Sequence, residues 1–118
     1  MTSIFTRIIE RELPADVVYE DDLVIAFRDI HPRAPVHLLV VPKDPSYADV
    51  VELAAGDPSL LAHVVATAKR LADEHTGGDF RLVFNTGERA GQTVFHAHAH
   101  VLGGRPGSAM TEESVGEL

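Results

Sequence analysis

Val94-Phe95-His96-Ala97-His98-Ala99-His100-Val101-Leu102 is the stretch on which the reading of this chain turns. Histidine alternates with apolar residues and the flanks are β-favouring, which predicts a strand. On a strand, residues i, i+2 and i+4 share a face, so His96, His98 and His100 are expected to project together. Phe95, Ala97, Ala99 and Val101 then form the opposite face, suited to packing on a core. Three imidazoles in a row are a costly choice for packing alone. Each ring carries nitrogens that need partners, and charging all three together is unfavourable. The pattern points to a catalytic or ligand-binding surface.

Upstream, Thr86 to Gln92 reads as a loop with two glycines and Phe80 to Asn85 as a strand. Before these, Asp57-Pro58 makes a helix start, a capping side chain followed by proline at the first helical position. Leu60, Leu61, Val64, Ala68, Leu71, Ala72 and His75 continue it as one apolar stripe, ending near Gly77-Gly78. Tyr47 to Ala55 suggests a short helix. Val36 to Val41 is nearly continuously apolar, as in a strand covered on both faces, with Pro42 ending it. Val17-Val18-Tyr19 and Leu23 to Phe27 read as two strands joined by a turn at Asp21-Asp22. Ile4, Phe5, Ile8 and Ile9 predict a short helix over residues 4–12, stopped by Pro14. This order of elements predicts an α+β protein with an antiparallel sheet. Residues 1–105 read as a single domain and residues 106–118 as an acidic tail that frays.

A length of 118 residues suits one core, and 45% hydrophobic residues is ordinary for a globular chain. No apolar run approaches the ~20 residues of a bilayer span, so no membrane association is expected. The first residues lack a secretory signal pattern, and a cytoplasmic protein is expected. With no cysteine, disulfides, thiolate metal sites and a thiol nucleophile are excluded. A net charge of −8 argues against a nucleic-acid polymer as partner. It leaves room for a single nucleotide, since backbone N–H groups and imidazoles can hold one phosphate.

Several chemistries fit the histidines. A His-x-His pair can share zinc, but the third ring lies roughly 13 Å along a strand from the first, at about 3.3 Å per residue. No acidic residue shares that face. Three satisfied surface histidines are the bland alternative. A nucleophilic role fits better, because a neutral imidazole attacks phosphorus and leaves readily. His98, with a neighbour on each side, is the best nucleophile, and a charged outer ring can supply a proton to a leaving group. Gly91-Gln92-Thr93 offers backbone N–H groups and a hydroxyl where a phosphate would lie. His37 reads equally as a core histidine or a site residue. Asp29 and Asn85 read equally as turn residues. His31, His63 and His75 have no pattern behind them and default to the surface.

His96-Ala97-His98-Ala99-His100-Val101-Leu102 resembles the signature of the histidine triad (HIT) family, His-φ-His-φ-His-φ-φ with φ apolar. Gly91 to Phe95, Gly103-Gly104-Arg105, Glu12 to Ala15, Tyr19 to Asp22, Ala26 to Ile30 and Ala34 to Lys43 are also similar to it. The resemblance covers residues 3–105 and points to the branch of nucleotide-binding proteins that hydrolyse purine nucleoside phosphoramidates. It implies a homodimer in which two five-stranded antiparallel sheets join into one of ten strands. It implies metal-independent, cofactor-free hydrolysis of a purine nucleoside 5′-phosphoramidate or acyl-nucleotide through a nucleotidyl-histidine. In that likeness His98 attacks the α-phosphorus, His100 assists the leaving group, and His96 and His37 support the site. Asp29 matches the residue that binds the ribose hydroxyls. Asn85 and Thr93 match contacts to the phosphate or leaving group. Phe5, Ile8, Leu13, Phe27 and Ile30 resemble the slot for the base. Thr93 stands where serine is usual, Arg28 where many relatives carry histidine, and the tail lacks a tryptophan that some relatives carry. A non-catalytic nucleotide-binding protein and a histidine-based metal-binding protein are the other readings.

Overall fold

The computed structural model describes residues 3–105 and 109–110. Helix α1 (Ile4–Ile9) leads into strands β1 (Val17–Glu20), β2 (Val24–Arg28) and β3 (Val36–Pro42). Helices α2 (Val50–Gly56) and α3 (Pro58–His75) follow, then β4 (Arg81–Val83), a 3-10 turn at Glu88–Ala90, and β5 (Ala99–Gly103). The five strands form one antiparallel sheet in the order β1-β2-β3-β5-β4. The expected α+β architecture is present. The acidic stretch expected to fray lies, apart from Ala109 and Met110, outside the described residues.

The period of two in β2 and β3 divides the molecule into two cores. Val24, Ala26, Val36, Leu38 and Val40 face the helices, where they meet Leu60, Val64, Ala68, Leu71 and Ala72 of α3 and Leu53 of α2. Ile25, Phe27, Leu39 and Val41 face the other way and pack against Phe5 and Ile8 of α1. Helix α3 starts as read: the Asp57 side chain accepts the Leu60 amide at 3.1 Å and Pro58 follows it. Such a cap contributes about 1 kcal/mol. At the far end of α3, a Cβ on Gly103 would come within 2.6 Å of Thr76, so this glycine lets the helix end sit close on β5.

Helix α1 is shorter than its pattern, ending at Ile9 rather than near residue 12. Arg11 takes a left-handed backbone (φ 65°), and the Arg11 and Glu12 amides close on the carbonyls of Ile8 and Arg7. Strand β4 is likewise only the middle of the expected Phe80 to Asn85 run.

The largest departure is in the histidine run. Only Ala99 to Gly103 joins the sheet; Val94 to His96 bend away and Ala97 and His98 are irregular. The cause is a lack of partners. The β3–β5 ladder ends at Val40 with Ala99, and β4 reaches only to His100. Beyond Val41 stands Pro42, which has no N–H to donate. Ala97 instead donates to the Tyr47 carbonyl at 2.9 Å. Ala97, Ala99 and Val101 are buried under the helices as expected, but Phe95 is 57% exposed and is not a core residue.

Candidate active site

His100 and His37 are placed by the sheet. Leu39 of β3 pairs directly with His100 of β5, which puts His37 on the same face at the diagonal position. Their rings meet there, with His37 Nε2 3.0 Å from His100 Nδ1. The protons follow from fixed partners. The Arg33 backbone N–H donates to His37 Nδ1 at 3.1 Å, so neutral His37 carries its proton on Nε2. That proton is offered to His100 Nδ1, and to the Asp29 carboxylate 3.4 Å away. Neutral His100 therefore keeps its own N–H on Nε2.

His98 is set by a different device. Its Nδ1 lies 2.8 Å from the His96 carbonyl, an acceptor only, so Nδ1 bears the proton and donates. Nε2 is left with its lone pair. The His98 ring stands 5.1 Å from that of His100 and edge-on to Phe5 at 4.9 Å, centroid to centroid. His96 itself is turned inward, 1% exposed, with Nε2 donating to the Pro42 carbonyl at 2.7 Å and Nδ1 3.0 Å from the Ser3 hydroxyl.

Burial pushes the titration of all four imidazoles below the ordinary value. For His100 the effect is largest: burial, then His98 and His37, bring it down to about 4. Asp29 works in the opposite direction on His37, His98 and His100 but does not overcome burial. The unliganded site at neutral pH thus holds neutral rings, which is what a nucleophilic His98 requires. The charged outer ring expected from the sequence is not the resting state of His100.

Two hollows meet at this point. An apolar one of about 330 Å³ runs between α1 and β2, with Phe5, Ile8, Leu13, Phe27 and Ile30 on its walls and Asp29, Thr93, His98 and His100 at its inner end. A polar one of about 460 Å³ shares those last four residues and adds His31, Arg33, His37, Asn85 and Gly91. The five residues expected for the base slot are therefore gathered in one hollow, with Phe5, Ile8 and Phe27 also serving the second core. A larger hollow of about 620 Å³ lies beside Ser3, Thr6 and Phe95. Its one imidazole is His96, whose two nitrogens are already engaged, so it offers no nucleophile.

Asp29 accepts the His31 amide at 2.8 Å through Oδ1. Asn85 donates to the Ala90 carbonyl at 2.9 Å and so holds the 3-10 turn against the site. Gly91 follows that turn with a left-handed backbone (φ 90°). The Gly91 and Gln92 amides, expected to be free for a phosphate, donate to Glu88 and Gly87 carbonyls instead. Gln92 is buried, and its amide ties Gly87, Ala48 and Val94 together without lining either hollow. Of that triplet, the exposed Thr93 hydroxyl is the group at the junction of both hollows. His31 and Arg33, read as surface residues or not singled out, also line the polar hollow. Ser3 and Thr6, which reach His96, were missed; a serine at a helix start was the available signal.

One carboxylate oxygen of Asp29 and one ring nitrogen each of His37 and His100 lie within 4.8 Å of one another, a spacing that suits a divalent ion. The donor chemistry does not. His37 Nδ1 is occupied by the Arg33 amide, so Nε2 carries a proton and has no lone pair for a metal. The arrangement works as a hydrogen-bond relay.

The HIT domain matches residues 10–107 of the chain, and the protein belongs to that family. It is 52% identical over 108 residues to an uncharacterized HIT-like protein of Synechocystis, covering 88% of this chain and 91% of the relative. It is 44% identical over 108 residues to the purine nucleoside phosphoramidase of Escherichia coli K12, covering 88% of each. Among solved structures, a HIT family hydrolase from Clostridium thermocellum superposes with a TM-score of 0.81 at 43% identity, covering 86% of this chain and 90% of that one. The chain thus shares its family with a purine nucleoside phosphoramidase and with a solved protein described as a HIT family hydrolase.

Proposed function

We propose that this protein is a hydrolase that cleaves purine nucleoside 5′-phosphoramidates, or the related acyl-nucleotides, to the nucleoside monophosphate. The observation that carries the reading is the His98 ring, held by Nδ1 on a backbone carbonyl so that Nε2 keeps its lone pair, in a residue that lines both an apolar and a polar hollow. The base fills the apolar hollow. Asp29 accepts from the vicinal ribose hydroxyls, a task for which a carboxylate has two oxygens. The α-phosphorus then lies over His98, with the Thr93 hydroxyl beside it and the leaving group directed to the polar hollow.

His98 Nε2 attacks phosphorus, the P–N or P–O bond to the leaving group breaks, and a nucleotidyl-imidazolium forms. The leaving amine needs a proton. A bound phosphoryl anion favours the charged form of His100, opposing the burial that keeps it neutral beforehand. Substrate thus recruits its own general acid; charged His100 carries N–H on both nitrogens, and the His37 Nε2–H is then left to the Asp29 carboxylate 3.4 Å away. Water then attacks the phosphorus; His100, neutral again after protonating the leaving group, receives its proton, and His98 is released. No step calls on a metal or cofactor.

The test is hydrolysis of adenosine 5′-phosphoramidate by the metal-free protein in excess chelator. The reading requires AMP and ammonia in equal amounts with undiminished rate. Tight AMP binding without turnover would instead favour a binding protein, and restoration only by added zinc would favour the metal reading. The 44% identity to a purine nucleoside phosphoramidase supports the substrate class. We also propose a cytoplasmic homodimer with a sheet continued across it. The sheet ends at β1 and β4, and an unpaired edge is where a second copy would join.

A further inference from the structure

We propose that Ser3 is a positioning residue for the nucleophile: its hydroxyl, by donating to His96, fixes the peptide whose carbonyl orients the His98 ring. The inference rests on the function proposed above and extends it to the first turn of α1. His96 lies outside the β3–β5 ladder, so no strand pairing holds its backbone. What holds it is its own side chain. Nε2 donates to the Pro42 carbonyl at 2.7 Å, which leaves Nδ1 as a buried acceptor that needs a donor. Ser3 supplies one at 3.0 Å. The Thr6 hydroxyl stands behind it, 3.2 Å from Ser3 Oγ and 3.4 Å from the same nitrogen. The Ser3 oxygen also accepts the Thr6 amide at 3.1 Å and so caps α1. One hydroxyl thus starts the helix and pins the ring.

Phe5, two residues on, packs edge-on against both His96 and His98 while lining the apolar hollow. The turn that shapes the base slot is therefore the turn that anchors the nucleophile. The charge state of His96 matters to the same step. Two titratable groups act on it: Asp44, just past β3, favours its charged form, and His98 faces it from the run itself. Once His98 has bonded to phosphorus it is a cation, and a second cation at His96 would oppose it. A hydroxyl donor at Nδ1 keeps His96 neutral.

Three variants separate this role from simple helix capping. Ser3→Thr keeps cap and donor. Ser3→Asp keeps the cap but has no proton to give, and its carboxylate draws a proton onto His96 Nδ1. Ser3→Ala loses both. With adenosine 5′-phosphoramidate, Ser3→Asp is expected to lower kcat by about tenfold or more with KM within about twofold, whereas Ser3→Thr stays near wild type. The acid limb of kcat should move to higher pH in Ser3→Asp. Nitrogen-15 spectra should show His96 protonated on Nε2 alone in the wild type, and on both nitrogens in Ser3→Asp at neutral pH. Wild-type kcat and an unmoved pH profile for Ser3→Asp, with loss confined to Ser3→Ala, would reduce Ser3 to a cap and overturn the proposal. If the wild type itself fails to turn over the substrate, the assigned function falls. The ring spectra then still decide whether Ser3 sets the state of His96.

Discussion

The two halves of the histidine run share one sequence pattern and have different structures. Ala99 to Gly103 pairs on both sides, with β3 and β4, and turns Ala99 and Val101 into the helix-covered core and His100 into the site. Val94 to His98 pairs with no strand among the described residues, and its last three residues find their own partners: Ala97 a loop carbonyl, His96 the Pro42 carbonyl and the Ser3 hydroxyl, His98 the His96 carbonyl. The sheet half supplies rigidity and places His100 against His37. The off-sheet half frees the His96 carbonyl from any ladder, so that it can serve as the acceptor for the His98 ring. The first and last of the three imidazoles are consequently not equivalent. One is an internal strut and the other lines both hollows beside His98.

Substitutions that treat the halves alike should therefore have unlike outcomes. His98→Ala removes the nucleophile, and turnover of adenosine 5′-phosphoramidate should fall by at least ~10³-fold while AMP affinity, measured by calorimetry, is retained. Preserved turnover with lost AMP affinity would contradict the division of labour. Leu102→Ala, in the sheet half, deletes a fully buried side chain. It should cost about 2–5 kcal/mol in denaturant unfolding, with kcat of the folded protein little changed. An unchanged midpoint would mean that β5 is not the stabilising half.

The depressed histidines make a pH prediction that touches both halves. Above the ordinary imidazole value near 6.5, folded and unfolded chains both carry neutral rings and no differential arises. As pH falls below it, the unfolded chain takes up protons that the folded rings refuse. Stability should then decline towards about 4, where folded His100 also titrates. Urea midpoints across this window should fall with pH, and less so in a His100→Asn variant. Equal slopes in the two proteins would deny His100 its burial. The smallest effect is expected at Thr93→Ser, which keeps the hydroxyl at the junction of the hollows. Rates for the unsubstituted phosphoramide should change by less than about threefold, with any gain confined to bulky leaving groups.

Much of this was legible in the chain. The period of two in β2 and β3, the Asp57-Pro58 start and the apolar stripe of α3 are local signals, and the structure follows them. The five apolar residues expected to form a base slot, and Asp29, came from family likeness; they line one hollow together with His98. What the chain did not disclose depends on partners distant in sequence. The alternation at Val94 to His98 signals a strand, but a strand needs neighbours, and Pro42 with the short β4 denies them. The Ser3 contact spans 93 positions, and nothing local to either residue announces it. Gly91 and Gln92 illustrate the opposite case. Their amides would suit a phosphate, but the 3-10 turn had already claimed them.

The most direct measurement is to stop the reaction with adenosine 5′-phosphoramidate in milliseconds and locate the covalent adduct by mass spectrometry. A nucleotidyl group on His98, formed and lost at rates that account for turnover and missing in His98→Ala, is the predicted result. Turnover with no such adduct, or an adduct on another residue that persists in His98→Ala, would contradict the assignment of His98 as the nucleophile.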